Sequence, residues 1–158
     1  MDLTGNDIAG VVDLFGGLTR TELGDALAEL AFKRGEDHDP DSFEGDIDTA
    51  VDSYHLLSVD PERTEATEPV FVVGPIAFPE LPDGATDLPH ILDVPDRGID
   101  RETAALAAEQ RFRADASAAV EAGDGTRIET LLDVSYELEA WGGVDLSESR
   151  DRLDSALA

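Results

Sequence analysis

Apolar residues in the first third of the chain recur at the three- and four-residue spacing that places them on one face of a helix. Three such stripes occur, over residues 8–15, 23–31 and 43–54. Helix-start and helix-end signals flank them at Thr4-Gly-Asn-Asp7, Gly16-Gly17, Thr19-Arg-Thr-Glu22, Lys33-Arg34-Gly35 and Asp39-Pro40. The pattern therefore predicts three N-terminal helices, the third over about residues 42–54 with Asp39 as its N-cap.

Two short runs after these helices are typical of β-strands. Leu56-Leu57-Ser58-Val59 is apolar, and Val70-Phe71-Val72-Val73 is β-branched and aromatic. The residues between them are polar and charged, which predicts a two-stranded hairpin with an exposed loop over 60–69.

The segment 74–98 combines five prolines with many apolar side chains. Proline removes a backbone donor and fixes φ, so regular structure is not expected there. A solvated linker would have no use for that much apolar surface. We therefore expect an ordered connector that packs Phe78 and Ile91 into the core.

The last third of the chain is predicted to be helical. One long helix runs from Asp100 to about Ala122, and a turn at Gly123-Asp124-Gly125 follows it. A second helix starts from a capping box at Thr126-Arg-Ile-Glu129. After Gly142-Gly143, a short last helix starts at Asp145, with Leu146, Leu153 and Leu157 as its apolar residues.

These elements predict a mostly α (α+β) fold. It has three N-terminal helices plus a two-stranded β-hairpin, an irregular Pro-rich connector, a C-terminal helical hairpin and a short last helix. We expect a single domain over 1–158, made of winged-helix-like helices and hairpin (1–74), the packed connector (75–98) and the helical part (99–158).

Charge adds a constraint on the environment. The 158 residues contain 37 Asp and Glu against 11 Lys and Arg, a net charge of −26. Self-repulsion of this size destabilises a compact state in dilute buffer, but at molar salt the Debye length is about 3 Å and the repulsion is screened. With no apolar run that resembles a signal peptide or a membrane span, the composition predicts a halophilic cytoplasmic protein without a membrane association.

The order helix, helix, helix, strand, loop, strand is typical of a winged-helix domain that lacks its small first strand. In a DNA reader the third helix enters the major groove and phosphates are bound by Lys and Arg. The outward face of helix 42–54 would instead carry Glu44, Asp46, Asp48, Asp52 and Ser53. Nucleic-acid binding through this helix is therefore not expected.

Candidate chemistry is sparse. One group of residues is a candidate interaction site: His90, Asp93, Asp96, Arg97 and Arg101. The structural alternative is that these residues form hydrogen bonds that hold the connector against the domain. A His-Asp pair could also act as the general base of a hydrolase-like enzyme, although no serine lies in a nucleophile elbow. A second acidic motif, D-x-D-x-D at 37–41, starts like a calcium loop but lacks its glycine and final glutamate. Neither a cofactor nor a metal site is predicted.

Three stretches resemble a small family of haloarchaeal proteins with no assigned function: DLFGGLTRTEL from Asp13, GPIAFPELPDG from Gly74 and LPHILDVPDR from Leu88. The resemblance covers nearly the whole chain and implies a cytoplasmic protein of an extreme halophile, with no catalytic residues to transfer. Our hypothesis is a non-enzymatic protein-interaction or regulatory module with a protein partner. A winged-helix transcription regulator and a hydrolase-like enzyme using the His90 region are the alternatives.

Overall fold

A computed structural model describes residues 1–64 and 66–157. Its contacts divide the chain into two compact units, Met1–Asp100 and Arg101–Ala158. Each unit is described by itself below.

The first two helices begin and end where the sequence predicts. Helix α1 spans Gly5–Phe15 and α2 spans Arg20–Lys33, and both start with a complete capping box. In the second box, Glu22 N donates to Thr19 Oγ1 at 3.2 Å and Thr19 N donates to Glu22 Oε1 at 2.9 Å. Gly16 ends α1 with a φ of 83°, a left-handed conformation that glycine adopts without steric cost.

The third helix starts later than predicted. A 3₁₀ turn over Pro40–Phe43 comes first, and α3 spans Glu44–Asp52. The prediction that Asp39 caps this helix is wrong, because the Asp39 side chain makes no capping hydrogen bond. Proline at the first position favours the tight turn, since it supplies the required φ and has no amide to satisfy.

Helix α3 ends in a Schellman-type turn without a glycine. Tyr54 has a φ of 65°, and the amides of Tyr54 and His55 donate back to the carbonyls of Val51 and Ala50. A left-handed non-glycine residue costs about 1–2 kcal/mol. Complete burial of the Tyr54 ring offsets that cost. The turn sends the chain directly into the sheet.

The small sheet has three strands and not the two that the hairpin pattern predicts. Strands β1 (Leu18–Thr19), β2 (Leu56–Val59) and β3 (Val70–Val73) lie in the order β1-β3-β2, and both pairs are antiparallel. Leu18 pairs with Phe71 and Leu57 pairs with Val72. Two residues are too few to show the alternating pattern of a strand, so β1 is recognised only by its pairing with β3 in the structure.

The core of the first unit lies between α1, α2, α3 and one face of the sheet. Its members are buried apolar residues of the helices, the strands and the connector: Ile8, Ala9, Val11, Val12, Leu23, Ala26, Leu27, Leu30, Ala31, Phe43, Ile47, Ala50, Leu18, Leu56, Phe71, Ala85 and Leu88. The last two come from the connector, which therefore closes the core as an additional layer.

The connector is ordered, but its buried residues are not the expected ones. Phe78 is 78% exposed and Ile91 is 48% exposed, so their predicted place in the core is wrong. Ala85 and Leu88 are fully buried in their stead. Leu88 begins a short helix α4, Leu88–Ile91, in a segment where no regular structure is predicted. The helix starts with a Leu-Pro pair, which places proline where a helix tolerates it.

The second unit consists of three helices that each contact the other two: α5 (Arg101–Ala122), α6 (Gly125–Gly142) and α7 (Ser147–Leu157). Five of the six buried α5 residues are alanines, around Phe112, which allows close helix packing. The predicted capping box at Thr126 is wrong, because Asp124 caps α6 by accepting from Arg127 N at 3.1 Å. Leu146 and Leu153 are buried, whereas Leu157 is 43% exposed.

The mostly α (α+β) fold class is confirmed by these helices and the small sheet. In the part of the chain that the structure describes, none of the helices has the length and apolarity needed to cross a membrane.

Candidate functional site

The outer face of α3 is strongly acidic. Because Ile47 and Ala50 point into the core, the helical period turns the remaining positions outward. These exposed residues are Glu44, Gly45, Asp46, Asp48, Thr49 and Asp52. Four carboxylates and no cation thus project from a helix of nine residues. Such a face attracts cationic groups and repels phosphates.

Arg20 forms an ion pair with this face. The Thr19 cap fixes the start of α2 and so places Arg20 opposite α3. Its Nη2 donates to Asp48 Oδ1 at 2.8 Å, and its guanidinium lies 5.3 Å from the centre of the Phe71 ring. The pair joins α2 to α3 and leaves the acidic face without a free arginine at this edge.

Glu22 carries two roles at the start of α2. Besides closing the capping box with Thr19, its carboxylate accepts two hydrogen bonds from Arg97, at 2.5 and 2.9 Å. Partial burial would raise the pKa of Glu22, but the bonds from Arg97 and Thr19 outweigh it and lower that pKa. The same contact raises the pKa of Arg97, whose side chain is only 9% exposed.

The β2–β3 loop approaches the same end of α2. Thr21 Oγ1 lies 3.1 and 3.2 Å from the two carboxylate oxygens of Glu68, just before β3. A 3₁₀ turn over Pro61–Arg63 begins the loop and leaves Arg63 exposed. Glu65 lies outside the described residues. Thr21 therefore connects the start of α2 to the residue before β3, as Arg20 connects it to α3.

A cleft of about 500 Å³ opens between α2 and the turn before α3. The turn comes close because Gly24 faces it: a Cβ at Gly24 would lie 3.1 Å from the Pro40 carbonyl oxygen. The walls are mainly charged or polar: Arg20, Thr21, Gly24, Asp25, Asp39, Pro40, Asp41, Glu44 and Ile47. This lining fits a cationic side chain better than an apolar or anionic group.

The first three residues of the site predicted around His90 lie at exposed positions of the first unit. His90 is exposed on α4, and Asp93 and Asp96 are exposed beyond it. Within the described residues, no hydrogen bond joins His90 to either carboxylate. Asp96 accepts instead from the amide of Gly98 at 3.2 Å.

The two arginines of the predicted site lie in different units, and each makes its contacts within its own unit. Arg97 bonds the connector to α2 through Glu22, which is the structural alternative stated for it. Arg101 belongs to the second unit, where it lies 4.5 Å from the Trp141 ring centre and donates to the Trp141 carbonyl. The other arginines of α5 pair along the helix, Arg111 with Asp115 and Arg113 with Glu109, as expected from their spacing.

The D-x-D-x-D motif at 37–41 does not form a metal site in the described chain. Throughout residues 1–64 and 66–157, no group of three or more His, Asp and Glu side chains is placed to hold an ion.

One close pair was missed by the sequence analysis. Ser53 Oγ lies 2.6 Å from His55 Nδ1, on either side of the left-handed Tyr54. The same hydroxyl lies 2.9 Å from the Thr49 carbonyl and 3.2 Å from the Ala50 carbonyl, in the last turn of α3. These contacts anchor the His55 ring at the end of α3. Burial lowers the pKa of His55.

With the fold and these contacts in place, the protein can be classified. It is a mostly helical protein with a small antiparallel sheet, and it belongs to a family of unknown function, DUF7109, whose sequence profile matches residues 6–158. Neither a curated protein nor a solved structure matches the chain.

Proposed function

We propose that this protein is a non-enzymatic protein-interaction module of a halophilic cytoplasm, with a winged-helix architecture in its first unit. The order α1-β1-α2-α3-β2-loop-β3 and the sheet order β1-β3-β2 support that architecture. The short β1 strand supplies the element that is missing from the sequence pattern.

The acidic outer face of α3 carries the proposal. In a winged-helix DNA reader this helix would enter the major groove, and Lys and Arg side chains would supply the electrostatic part of the affinity for phosphates. Here Glu44, Asp46 and Asp48 occupy that surface, and the neighbouring Arg20 is paired with Asp48. A positively charged protein surface is the partner that fits.

The placement of the other cations also supports a protein partner. Within each unit these cations pair with acids: Lys33 with Asp87, Arg97 with Glu22, Arg127 with Asp115, Arg150 with Glu139 and Arg152 with Glu148. A phosphate-binding patch would need several guanidinium or ammonium groups directed outward together.

The test uses purified protein immobilised in molar KCl and exposed to extract of the source organism. Glu44→Lys combined with Asp46→Lys should abolish capture of a specific protein. Glu129→Lys combined with Glu137→Lys, on exposed positions of α6, is the control with the same change of charge. The captured protein is then purified, and its affinity is measured for the wild type, the α3 variant and the α6 control variant. Equal affinity for the α3 variant and the control would reject the proposed surface.

A second candidate function is a winged-helix regulator that contacts nucleic acid through the β2–β3 loop. The exposed guanidinium of Arg63 favours it, because loop arginines can enter a minor groove. Fluorescence anisotropy with genomic duplexes in molar KCl tests this candidate. Binding that is lost on Arg63→Ala but kept in the α3 variant would establish it in place of the first.

A further inference from the structure

Phe78 is the most exposed large apolar side chain in the part of the chain that the structure describes. Its side chain lies in the connector, 78% exposed, and Leu81 three positions later is 48% exposed. The connector has alternatives to this arrangement, since it already buries Ala85 and Leu88 in the core. Aromatic residues are enriched at protein interfaces, which makes this exposed position a candidate contact.

The backbone around Phe78 is held on both sides by one residue of α1. Phe78 N donates to Asn6 Oδ1 at 2.9 Å, and Glu80 N donates to the Asn6 carbonyl at 3.1 Å. Close approach is possible because Gly10 has no side chain: a Cβ there would lie 1.8 Å from the Glu80 carbonyl oxygen. These contacts fix the direction in which Phe78 projects.

Proline restricts the same stretch further. Pro79 directly follows Phe78, and Pro82 directly follows Leu81 and is buried. Each proline fixes its own φ and limits the conformation of the residue before it. Phe78 and Leu81 are therefore presented by a backbone that has little conformational entropy left to lose when a partner binds.

We infer that Phe78, with Leu81 beside it, is an apolar anchor that inserts into a pocket on a protein partner. Rigid, exposed aromatic residues are the side chains that dominate protein interfaces. The exposed carboxylates of Glu80 and Asp83 flank the anchor, and Arg34 donates to the Asp83 carbonyl at 2.9 Å. The two carboxylates exceed this one cation, which favours a partner pocket with a cationic rim. The inference rests on the proposed interaction function and names a surface separate from α3.

The experiment places the photoreactive residue p-benzoylphenylalanine at position 78, and in a matched protein at position 32. Phe32 is the control because it is 69% exposed but lies on α2, outside the connector. Both proteins are irradiated in extract of the source organism in molar KCl. The protein that crosslinks at 78 and not at 32 is identified, purified and titrated against defined variants.

We expect Phe78→Ala to weaken that complex by about tenfold or more, while Phe32→Ala leaves it unchanged. Glu80→Lys combined with Asp83→Lys should weaken it by about threefold or more in molar KCl. Far-ultraviolet circular dichroism and thermal midpoints near those of the wild type show that the variants are folded.

Each contrary result overturns the anchor. These results are no crosslink at position 78, a crosslink only to a second copy of the chain, and an affinity that Phe78→Ala does not change. A partner that is lost with Glu44→Lys and Asp46→Lys but kept with Phe78→Ala would reject the anchor and leave the proposed function intact. A crosslinked partner whose affinity falls with Phe78→Ala but is unchanged by Glu44→Lys with Asp46→Lys would support the anchor and reject α3 as the interaction surface.

Discussion

Arg97 donates two hydrogen bonds to the carboxylate of Glu22 and so joins the end of the connector to the capping box of α2. The two residues are 75 positions apart, and both side chains are largely buried. Because one carboxylate serves the cap and the long-range pair together, the start of α2 and the connector stabilise each other.

The first prediction concerns this pair. Arg97→Ala should lower the free energy of unfolding by about 1–3 kcal/mol, since it leaves a partly buried carboxylate without its charged donor. Glu22→Gln keeps a capping-box residue and should cost less. Urea unfolding in molar KCl measures both. Arg152→Ala removes an exposed pair with Glu148 and should have little effect. If Arg97→Ala and Arg152→Ala lower the free energy of unfolding equally, the Arg97–Glu22 pair contributes no more than an exposed ion pair.

The second prediction concerns the corrected core of the connector. Phe78→Ala should change the free energy of unfolding by less than about 0.5 kcal/mol, because the side chain is exposed. Leu88→Ala should cost about 2–5 kcal/mol, because it leaves a cavity among fully buried residues. Chemical denaturation of both variants decides the point. A large loss for Phe78→Ala together with a small loss for Leu88→Ala would contradict the described packing.

The third prediction concerns pH. The pKa of His55 lies below its ordinary value of 6.5 in the folded protein, because burial disfavours the charged ring. The unfolded chain therefore takes up a proton first, and stability present above pH 6.5 is lost as the pH falls through the lowered pKa. His55→Gln should flatten this part of the stability profile, and His90→Gln, on an exposed residue, should not. Identical profiles for wild type and His55→Gln would contradict it.

Glu22 adds a second step at lower pH. Its folded pKa is also lowered, so the stability it provides is present above its ordinary value of 4.5 and lost below it. His55 therefore contributes a loss that begins as the pH falls below 6.5. The carboxylates with lowered pKa values, which are Glu22, Glu36 and Asp145, contribute at lower pH.

The fourth prediction concerns salt. With a net charge of −26, the thermal midpoint should rise substantially between dilute buffer and molar KCl, because screening removes self-repulsion from the compact state. Differential scanning calorimetry over a KCl series measures the rise. A flat or falling midpoint would remove the argument for a halophilic protein.

The fifth prediction concerns the single domain proposed for residues 1–158. Trp141 is the chain's one tryptophan and lies in the second unit, so its fluorescence reports the unfolding of that unit alone. If the chain is one cooperative domain, Leu88→Ala in the first unit should lower the Trp141 midpoint together with the circular-dichroism midpoint. A Trp141 transition that Leu88→Ala leaves unchanged would show two independent domains.

Local chemistry was sufficient to predict most helices from the sequence. The capping boxes at Thr4 and Thr19 and the glycine at 16 act within one turn, so their signal survives without tertiary information. The strands β2 and β3 were predicted for the same reason, β2 from a short apolar run and β3 from a β-branched and aromatic one. The acidic face of α3 also followed from spacing alone.

Tertiary structure decided the features in which distant segments compete for the same space. Strand β1 exists because Leu18 pairs with Phe71, 53 positions away, and the two residues of β1 have no strand pattern of their own. Composition could show that the connector buries apolar side chains, but not that Leu88 enters the core while Phe78 stays in water. That choice depends on Asn6 and Gly10 of α1, which fix the backbone on either side of Phe78. Charge and local capping are properties of short stretches of sequence. Burial instead depends on which residues from distant parts of the chain pack against a side chain in the folded protein.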